Sequence, residues 1–163
     1  MNALSIWQPW ASFIALGIKN VENRGWATRY RGPLLIHAGK TFDEDWEEKL
    51  PAVLSHAALA VERWPAYFHL AGHLLAVVVL QGCAEWEDAA SPWHEEGQVG
   101  WYLRNPRLIR PLPYRGMWGI FDIQGASIEV CDLTALKRSM GYENNASDAD
   151  TGVPQDRSGA HAP

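Results

Sequence analysis

Residues 17–26, GIKNVENRGW, contain three charged side chains and directly follow an apolar segment. The three charged residues are Lys19, Glu22 and Arg24. A lysine beside a carboxylate can shuttle a proton, or act as a nucleophile when it is desolvated. An arginine presents a planar fork of donors to a phosphate or a base edge. The cluster is therefore a candidate polar cleft. The alternative is a surface salt bridge, which contributes little to stability.

The spacing of these residues demands a break in regular structure. In an unbroken strand, Lys19 and Glu22 would point to opposite faces of the sheet. Gly17 and Asn20 are residue types that favour turns. We therefore predict a turn or bulge around Asn20 that lets Lys19 and Glu22 converge. In that arrangement the two residues are also the candidate catalytic pair.

The nine tryptophans include candidates for stacking on a nucleic-acid base. Trp7 precedes Gln8 and Pro9, and Trp93 lies in a polar loop. Flipped-out or single-stranded bases stack on such rings, and a glutamine can pair with a base edge or instead cap a helix. For the remaining tryptophans, core packing is the simpler interpretation, and we assign it to Trp46, Trp64 and Trp118.

The sequence predicts no metal and no cofactor. His69 and His73 have the spacing of two ligands on one helix, but the segment HLAGH contains a glycine, lacks the central glutamate of a protease motif and runs into a strand. The two cysteines, Cys83 and Cys131, lack metal-ligand spacing. There is no phosphate-binding loop, dinucleotide fingerprint or serine-hydrolase elbow.

Basic residues are concentrated in two segments of a chain whose net charge is −5. Residues 1–42 hold five basic side chains against Glu22, and residues 101–121 hold four arginines and no acid. If the segments meet in space, they create a positive face that includes Arg31 and Arg115. The alternative is that these arginines form separate surface pairs.

The elements that must position these residues are short strands with helices between them. Strands are predicted at ALSI, YRGPLLIHAG, HLLAVVVLQGCAEW, WYLRNPRLIRPLP and RGMWGIFDI, and the third of these is expected to be central because it is apolar on both faces. Helices are predicted at QPWASFIALG and over residues 43–63. This order favours a mixed sheet or small barrel rather than a doubly wound fold.

Composition is that of a globular domain with a polar tail. Residues beyond about 141 are polar and small, so they lack the apolar side chains that would offset ordering entropy. The N-terminus has no signal-peptide pattern, and the longest apolar run is too short to span a membrane. We therefore expect a cytoplasmic protein without a membrane partner.

Several motifs together resemble a known family. Residues 4–39 resemble the opening of ASCH domains, which belong to the PUA-like superfamily. The matching signature is Gly-x-Lys-x-x-Glu-x-Arg, formed here by Gly17, Lys19, Glu22 and Arg24. Flanking matches lie at residues 8–10 and 30–33, and a later segment, residues 91–109, is also similar. The resemblance covers roughly residues 3–123.

The resemblance implies an α+β fold, a PUA-like small β-barrel with a mixed sheet of about five to six strands and two or three packed helices. We expect an ASCH domain over residues 1–135 and a flexible polar tail over residues 136–163. The resemblance also implies a cleft that binds single-stranded RNA or a modified nucleoside. The expected binding residues are Trp7, Gln8, Lys19, Glu22, Arg24, Arg31, Trp93 and Arg115.

Two other functions stay open. One branch of the family, small bacterial amidohydrolases, deacylates N4-acetylcytidine with a Lys, a Thr and a Glu, and other members are linked to ribonuclease activity. Lys19 matches that lysine, but Glu22 stands where those enzymes have threonine, and no motif aligns Glu95 or Glu96 with their glutamate. The second alternative is a protein-interaction module of the transcription-coregulator kind, whose partner the sequence does not identify.

Overall fold

The computed structural model describes residues 1–51, 65–68, 70–86, 90–132 and 136. Within these residues there are six strands and two short helices. In order they are β1 (Asn2–Gln8), α1 (Trp10–Ala15), β2 (Val21–Arg24), β3 (Gly32–Phe42), α2 (Pro65–Phe68), β4 (His73–Ala84), β5 (Val99–Pro113) and β6 (Ile120–Asp122).

The six described strands form one mixed sheet in the order β2-β5-β4-β3-β1-β6. β1 and β3 run parallel, and every other neighbouring pair is antiparallel. The predicted central strand is β4, which lies between β3 and β5, so that prediction is confirmed. The α+β, barrel-like class is also confirmed, although the described strands form an open sheet rather than a closed ring.

Apolar side chains cover both faces of the sheet, because successive residues of a strand point to opposite sides. In β3, residues 34–38 are all buried. Leu34 and Ile36 pack in one core with Phe13 of α1, while Leu35 packs in a second core with Phe121 of β6. The inner strands are therefore held on two sides, which makes them a firm support for side chains at the sheet's ends.

A tight turn follows α1 and leads into β2. Gly17 ends the helix with φ +76°, a conformation that glycine adopts without steric cost. The amides of Ile18 and Lys19 then both donate to the carbonyl of Phe13, at 2.8 and 3.1 Å. The predicted turn thus lies at residues 16–18, just before Asn20, whose carbonyl already accepts a hydrogen bond from the amide of Leu103 in β5.

The helical content is lower than predicted. Residues 44–49 form consecutive turns closed by amide-to-carbonyl bonds three residues apart, rather than the start of a helix. Residues 52–63, the rest of that prediction, lie outside the described residues, as do Trp64 and the tail over 137–163. No helix among the described residues is long and apolar enough to cross a membrane.

The last predicted strand is shortened by its backbone. Only Ile120–Asp122 pairs with β1, because Gly119 adopts φ +68° and ends the extended run. Trp118 consequently leaves the sheet and is 98% exposed, so its assignment to the core was wrong. Trp46, at 8% exposure, packs in the first core as predicted.

We predict that Gly17→Ala lowers the free energy of unfolding by about 1–3 kcal/mol, since an L side chain resists this backbone conformation. A Cβ there would also lie 3.2 Å from the Pro106 ring. Gly82→Ala is the matched control, because nothing lies within 4 Å of its Cβ position. Urea unfolding should leave the Gly82→Ala protein unchanged or slightly more stable. Equal losses in both variants would contradict this account of the turn.

Candidate functional site

The charged residues of the sequence motif line a cavity of about 460 Å³, called the site cavity below. Its walls come from β1, α1, β2, the turns over residues 43–50 and the loop over residues 90–98. Lys19, Glu22 and Arg24 all contribute to it, together with Trp7. The predicted convergence of the motif in one cleft therefore matches the geometry.

Glu22 is the centre of the charged cluster. One of its carboxylate oxygens lies 3.4 Å from Nζ of Lys19, and the other lies 3.1 Å from Nη2 of Arg24. Lys19 also donates to the carbonyl of Val21, and its ammonium lies 5.8 Å from the centre of the Trp10 ring. One carboxylate thus holds two cations, one on each oxygen.

Local geometry explains why the three side chains meet. Glu22 and Arg24 are two residues apart on β2, so they project from the same face. Lys19 precedes the strand and follows the Gly17 turn, so strand alternation does not constrain it. β2 is in turn fixed by its antiparallel register with β5, in which Glu22 pairs with Trp101.

Arg24 also connects strands that are far apart in the sheet. Its Nη2 donates to the carbonyl of Ser5 at 2.8 Å, although β5, β4 and β3 separate β2 from β1 in the strand order. The sheet must therefore curl until its β2 edge approaches β1. The Arg24 side chain spans that gap, and the site cavity lies along it.

The charged cluster retains hydrogen-bonding capacity toward a ligand. Lys19 and Glu22 are only 5% and 8% exposed, and Nε of Arg24 is buried without a partner among the described residues. A carboxylate accepts up to about four hydrogen bonds, and each oxygen of Glu22 has one described cationic neighbour. Burying ion pairs costs desolvation energy and is weak evidence for a purely stabilising role. The arrangement can present both donors and an acceptor to a bound polar group.

The turns over residues 43–50 form one wall of the site cavity through Asp43. Its carboxylate accepts from Nε1 of Trp10 at 3.0 Å and from Nζ of Lys49 at 2.6 and 2.7 Å. Burial raises the pKa of Asp43, but the hydrogen bonds from Lys49 and Trp10 outweigh it and leave the pKa below its ordinary value. Asp43 is therefore charged at neutral pH and ties this wall to α1.

Another wall of the site cavity depends on Asn23. Its side-chain amide donates to the carbonyl of Trp93 at 2.9 Å, and its amide oxygen accepts from the amide of Glu95 at 3.1 Å. This double contact holds the loop over residues 90–98 against β2. As a result, Glu95 and Gln98 line the site cavity.

Trp7 is the one predicted stacking residue that lines the site cavity. It is 55% exposed and falls where the register between β1 and β3 shifts, between Ile6 and Gln8. Trp93 instead is 6% exposed, and its ring meets the edge of Trp10 at a centroid distance of 6.3 Å. The indole of Trp93 therefore supports the cavity from within the core.

The other predicted binding residues lie elsewhere. Gln8 is 1% exposed, donates to the carbonyl of Leu70 at 2.8 Å and accepts from Ser12 of α1, so its amide is used inside the fold. Arg31 donates to the carbonyls of Thr28 and Tyr30, both at 2.7 Å. Arg115 lines a different cavity.

Sequence reasoning missed several residues of the site cavity. Asn23 sits inside the motif, and its position between Glu22 and Arg24 was the available signal. Asp43 and Lys49 had no comparable signal, because their pairing depends on a turn that was predicted to be a helix. The described residues contain no group of three or more potential ligands for a metal ion, and His69 lies outside them.

Comparison with known sequences identifies the family of this chain. Residues 4–120, more than half of the chain, match the family described as the ASCH domain. The chain therefore belongs to the ASCH domain family.

Two similar proteins are both named Activating signal cointegrator 1. The human and the mouse protein are each 57% identical to this chain over 35 residues, which is 22% of this chain and 6% of theirs. This chain thus matches only a small part of each relative's length.

We predict that Asp43→Asn lowers the thermal unfolding midpoint at pH 7. A carboxylate with a lowered folded pKa adds stability above its unfolded pKa, near 3.9, and that contribution disappears as pH falls through the folded pKa. Thermal melts at pH 7, 5 and 3 should therefore show a difference from the native protein that narrows toward pH 3. Glu44→Gln, at the exposed neighbouring acid, should show little difference. A difference of constant size at all three pH values would argue against an ionic role for Asp43.

Proposed function

We propose that this chain binds RNA or a modified nucleoside, and that one base occupies the site cavity. The observation that carries this proposal is the cluster of buried Lys19 and Glu22 with partly exposed Arg24, which lines a cavity beside the exposed ring of Trp7. Membership of the ASCH family supports it.

The chemistry of the cluster suits a base edge. Glu22 accepts hydrogen bonds, as an exocyclic amino group or a ring N–H requires, while Lys19 and Arg24 donate to ring nitrogens and carbonyl oxygens. A base carries such donors and acceptors side by side on one planar edge. A site that pairs them discriminates strongly against ligands that leave its buried polar groups unpaired.

Trp7 adds a stacking surface to this polar edge. Unpaired bases stack on aromatic rings in single-stranded recognition, and the contact tolerates different bases. The acidic net charge of −5 disfavours tight, nonspecific binding to long duplexes, which depends on neutralising many phosphates. A nucleoside or a short single strand is the better match.

We predict that Trp7→Ala and Glu22→Gln each weaken binding of nucleosides and short RNAs about tenfold or more. Stacking contributes about 1–3 kcal/mol per base. Glu22→Gln replaces one carboxylate oxygen with an NH2 donor, so one of the two cations loses its acceptor and the negative charge is lost. Titration calorimetry with the four ribonucleosides, N4-acetylcytidine and short single strands measures this.

The matched control is Trp86→Ala. Trp86 is 39% exposed and follows β4, and it does not line the site cavity. Its substitution should leave affinity unchanged, and circular dichroism should show that all three variants fold. If binding is detected but survives Trp7→Ala and Glu22→Gln undiminished, the site cavity is not where the base binds.

Hydrolysis of an acylated base is the second candidate, because Glu95 brings another carboxylate to the cavity that holds Lys19. Against it, Lys19 donates to the carbonyl of Val21 and to Glu22, and an amine used as a donor in both contacts does not direct a lone pair at a substrate. We expect purified protein to bind N4-acetylcytidine without forming cytidine. Chromatographic detection of cytidine that disappears in Lys19→Ala would establish the hydrolase instead.

We also propose that the folded unit extends past the matched region and includes Leu136, one residue beyond the predicted boundary of 135, and that the polar tail follows it. Val130 bridges to Ile109 of β5, and the amide of Cys131 donates to the carbonyl of Leu108 at 2.9 Å. Leu136 is fully buried. Limited proteolysis followed by mass spectrometry should yield a stable fragment that ends after residue 136.

A further inference from the structure

A second cavity, of about 800 Å³, adjoins the site cavity. Ser5 of β1 lines both. Gly39 lines the second cavity, and a Cβ placed on it would lie 3.9 Å from the Trp7 ring, so Trp7 stands beside the boundary between the two. A ligand that leaves the site cavity past Trp7 therefore meets the second cavity next.

The second cavity combines positive charge with an unpacked aromatic ring. Lys40 and Arg115 line it, and none of the described residues that do so is acidic. These two cations come from the two basic segments of the sequence, which therefore meet here. Trp118 is 98% exposed at this cavity and Met117 is 50% exposed. Exposed apolar surface of this kind beside charged residues marks a binding surface.

The floor of the second cavity is neutral and rigid. Nε2 of His37 lies 3.0 Å from the carbonyl of Tyr114, which can only accept, so Nε2 carries a proton; Nδ1 lies 3.0 Å from Oγ of Ser5. Burial lowers the pKa of His37, although the bond to Tyr114 partly offsets it. The ring is therefore neutral at pH 7, and positive charge is confined to Lys40 and Arg115.

Close packing against His37 fixes the segment that carries Arg115 and Trp118. A Cβ on Gly116 would lie 2.4 Å from Cε1 of His37, so the backbone at Gly116 rests directly on the imidazole ring. The segment is thus held from beneath while its side chains face the solvent. Because the backbone is already fixed there, binding to this segment orders side chains only, which reduces the entropy lost on binding.

We propose that the second cavity binds the nucleotide next to the one in the site cavity, so that the ligand is a single strand of at least two nucleotides rather than a free nucleoside. In this arrangement Trp118 stacks on the second base, and Arg115 and Lys40 contact the phosphate groups. This inference rests on the proposed function of the site cavity and extends it to the class of ligand.

A strand fits this surface better than a peptide does. Each nucleotide supplies one planar base, which can stack on the Trp118 ring, and one negatively charged phosphate, which can pair with Lys40 or Arg115. Because the second cavity adjoins the site cavity beside Trp7, one strand can occupy both cavities at once.

The test compares ligand lengths on the full chain. Adenosine, cytidine, guanosine and uridine 5′-monophosphates are titrated beside the corresponding ribo-dinucleotides and trinucleotides, each carrying a 5′-phosphate. We expect the best dinucleotide to bind about tenfold or more tightly than its mononucleotide, in keeping with one added stacked base. Trp118→Ala should remove most of this gain and leave mononucleotide affinity unchanged, and Arg115→Ala should also reduce the gain.

Trp86→Ala and Arg107→Ala are matched controls, since they remove an exposed ring and an exposed arginine that do not line either cavity. The proposal is overturned if length adds no affinity, if the gain survives Trp118→Ala, or if the controls abolish it equally. After any of these outcomes, mononucleotide binding that is weakened by Glu22→Gln would still support the proposed function of the site cavity. If mononucleotides and oligonucleotides both bind without dependence on Glu22 and Trp7, the proposed function itself fails.

Discussion

The side chain of Arg24 spans the gap between the β2 edge of a curled sheet and β1, the strand next to the other edge, and the site cavity lies along that contact. Its guanidinium binds Glu22 on its own strand and the carbonyl of Ser5 on β1. Because three strands separate β2 from β1 in the sheet order, this bond sets how closely the β2 edge approaches β1. The cavity forms along the same gap, so the residue that helps to close the sheet also supplies a donor to the site.

Because Arg24 both helps to close the sheet and supplies a donor to the site, charged residues occupy a place where apolar side chains would be easier to bury. A buried carboxylate that holds two cations is expensive to desolvate, and an apolar replacement of similar shape is often no less stable. The cost is tolerable here because each charged group has partners: Glu22 has Lys19 and Arg24, and Lys19 also has the carbonyl of Val21. Unlike an apolar replacement, the charged cluster provides hydrogen-bond donors and an acceptor that are fixed in direction.

The sequence predicted those parts of the molecule that depend on local pattern. The main strands followed from apolar runs, the end of α1 followed from Gly17, and the convergence of Lys19 with Glu22 followed from recognising that a turn was needed. What it could not predict depends on contacts between distant segments. The side-chain amide of Gln8 donates a hydrogen bond to the carbonyl of Leu70, some sixty residues away, and is therefore not free to bind a ligand. The carboxylate of Asp43 pairs with Lys49 within a turn that was predicted to be a helix. Trp118 belonged to an alternating pattern, and only the backbone conformation at Gly119 removes it from the sheet.

The position of β2 in the sheet has a consequence for biosynthesis. The motif lies within the first 24 residues, but among the described strands its only partner is β5, which ends at Pro113. Because β2 pairs with residues 99–102 of β5, more than seventy further residues must be synthesised before the strand segment that supports Lys19, Glu22 and Arg24 is available. The charged cluster is encoded early, but its pairing depends on a strand that comes late in the chain, so the site cannot form before most of the sheet has been synthesised.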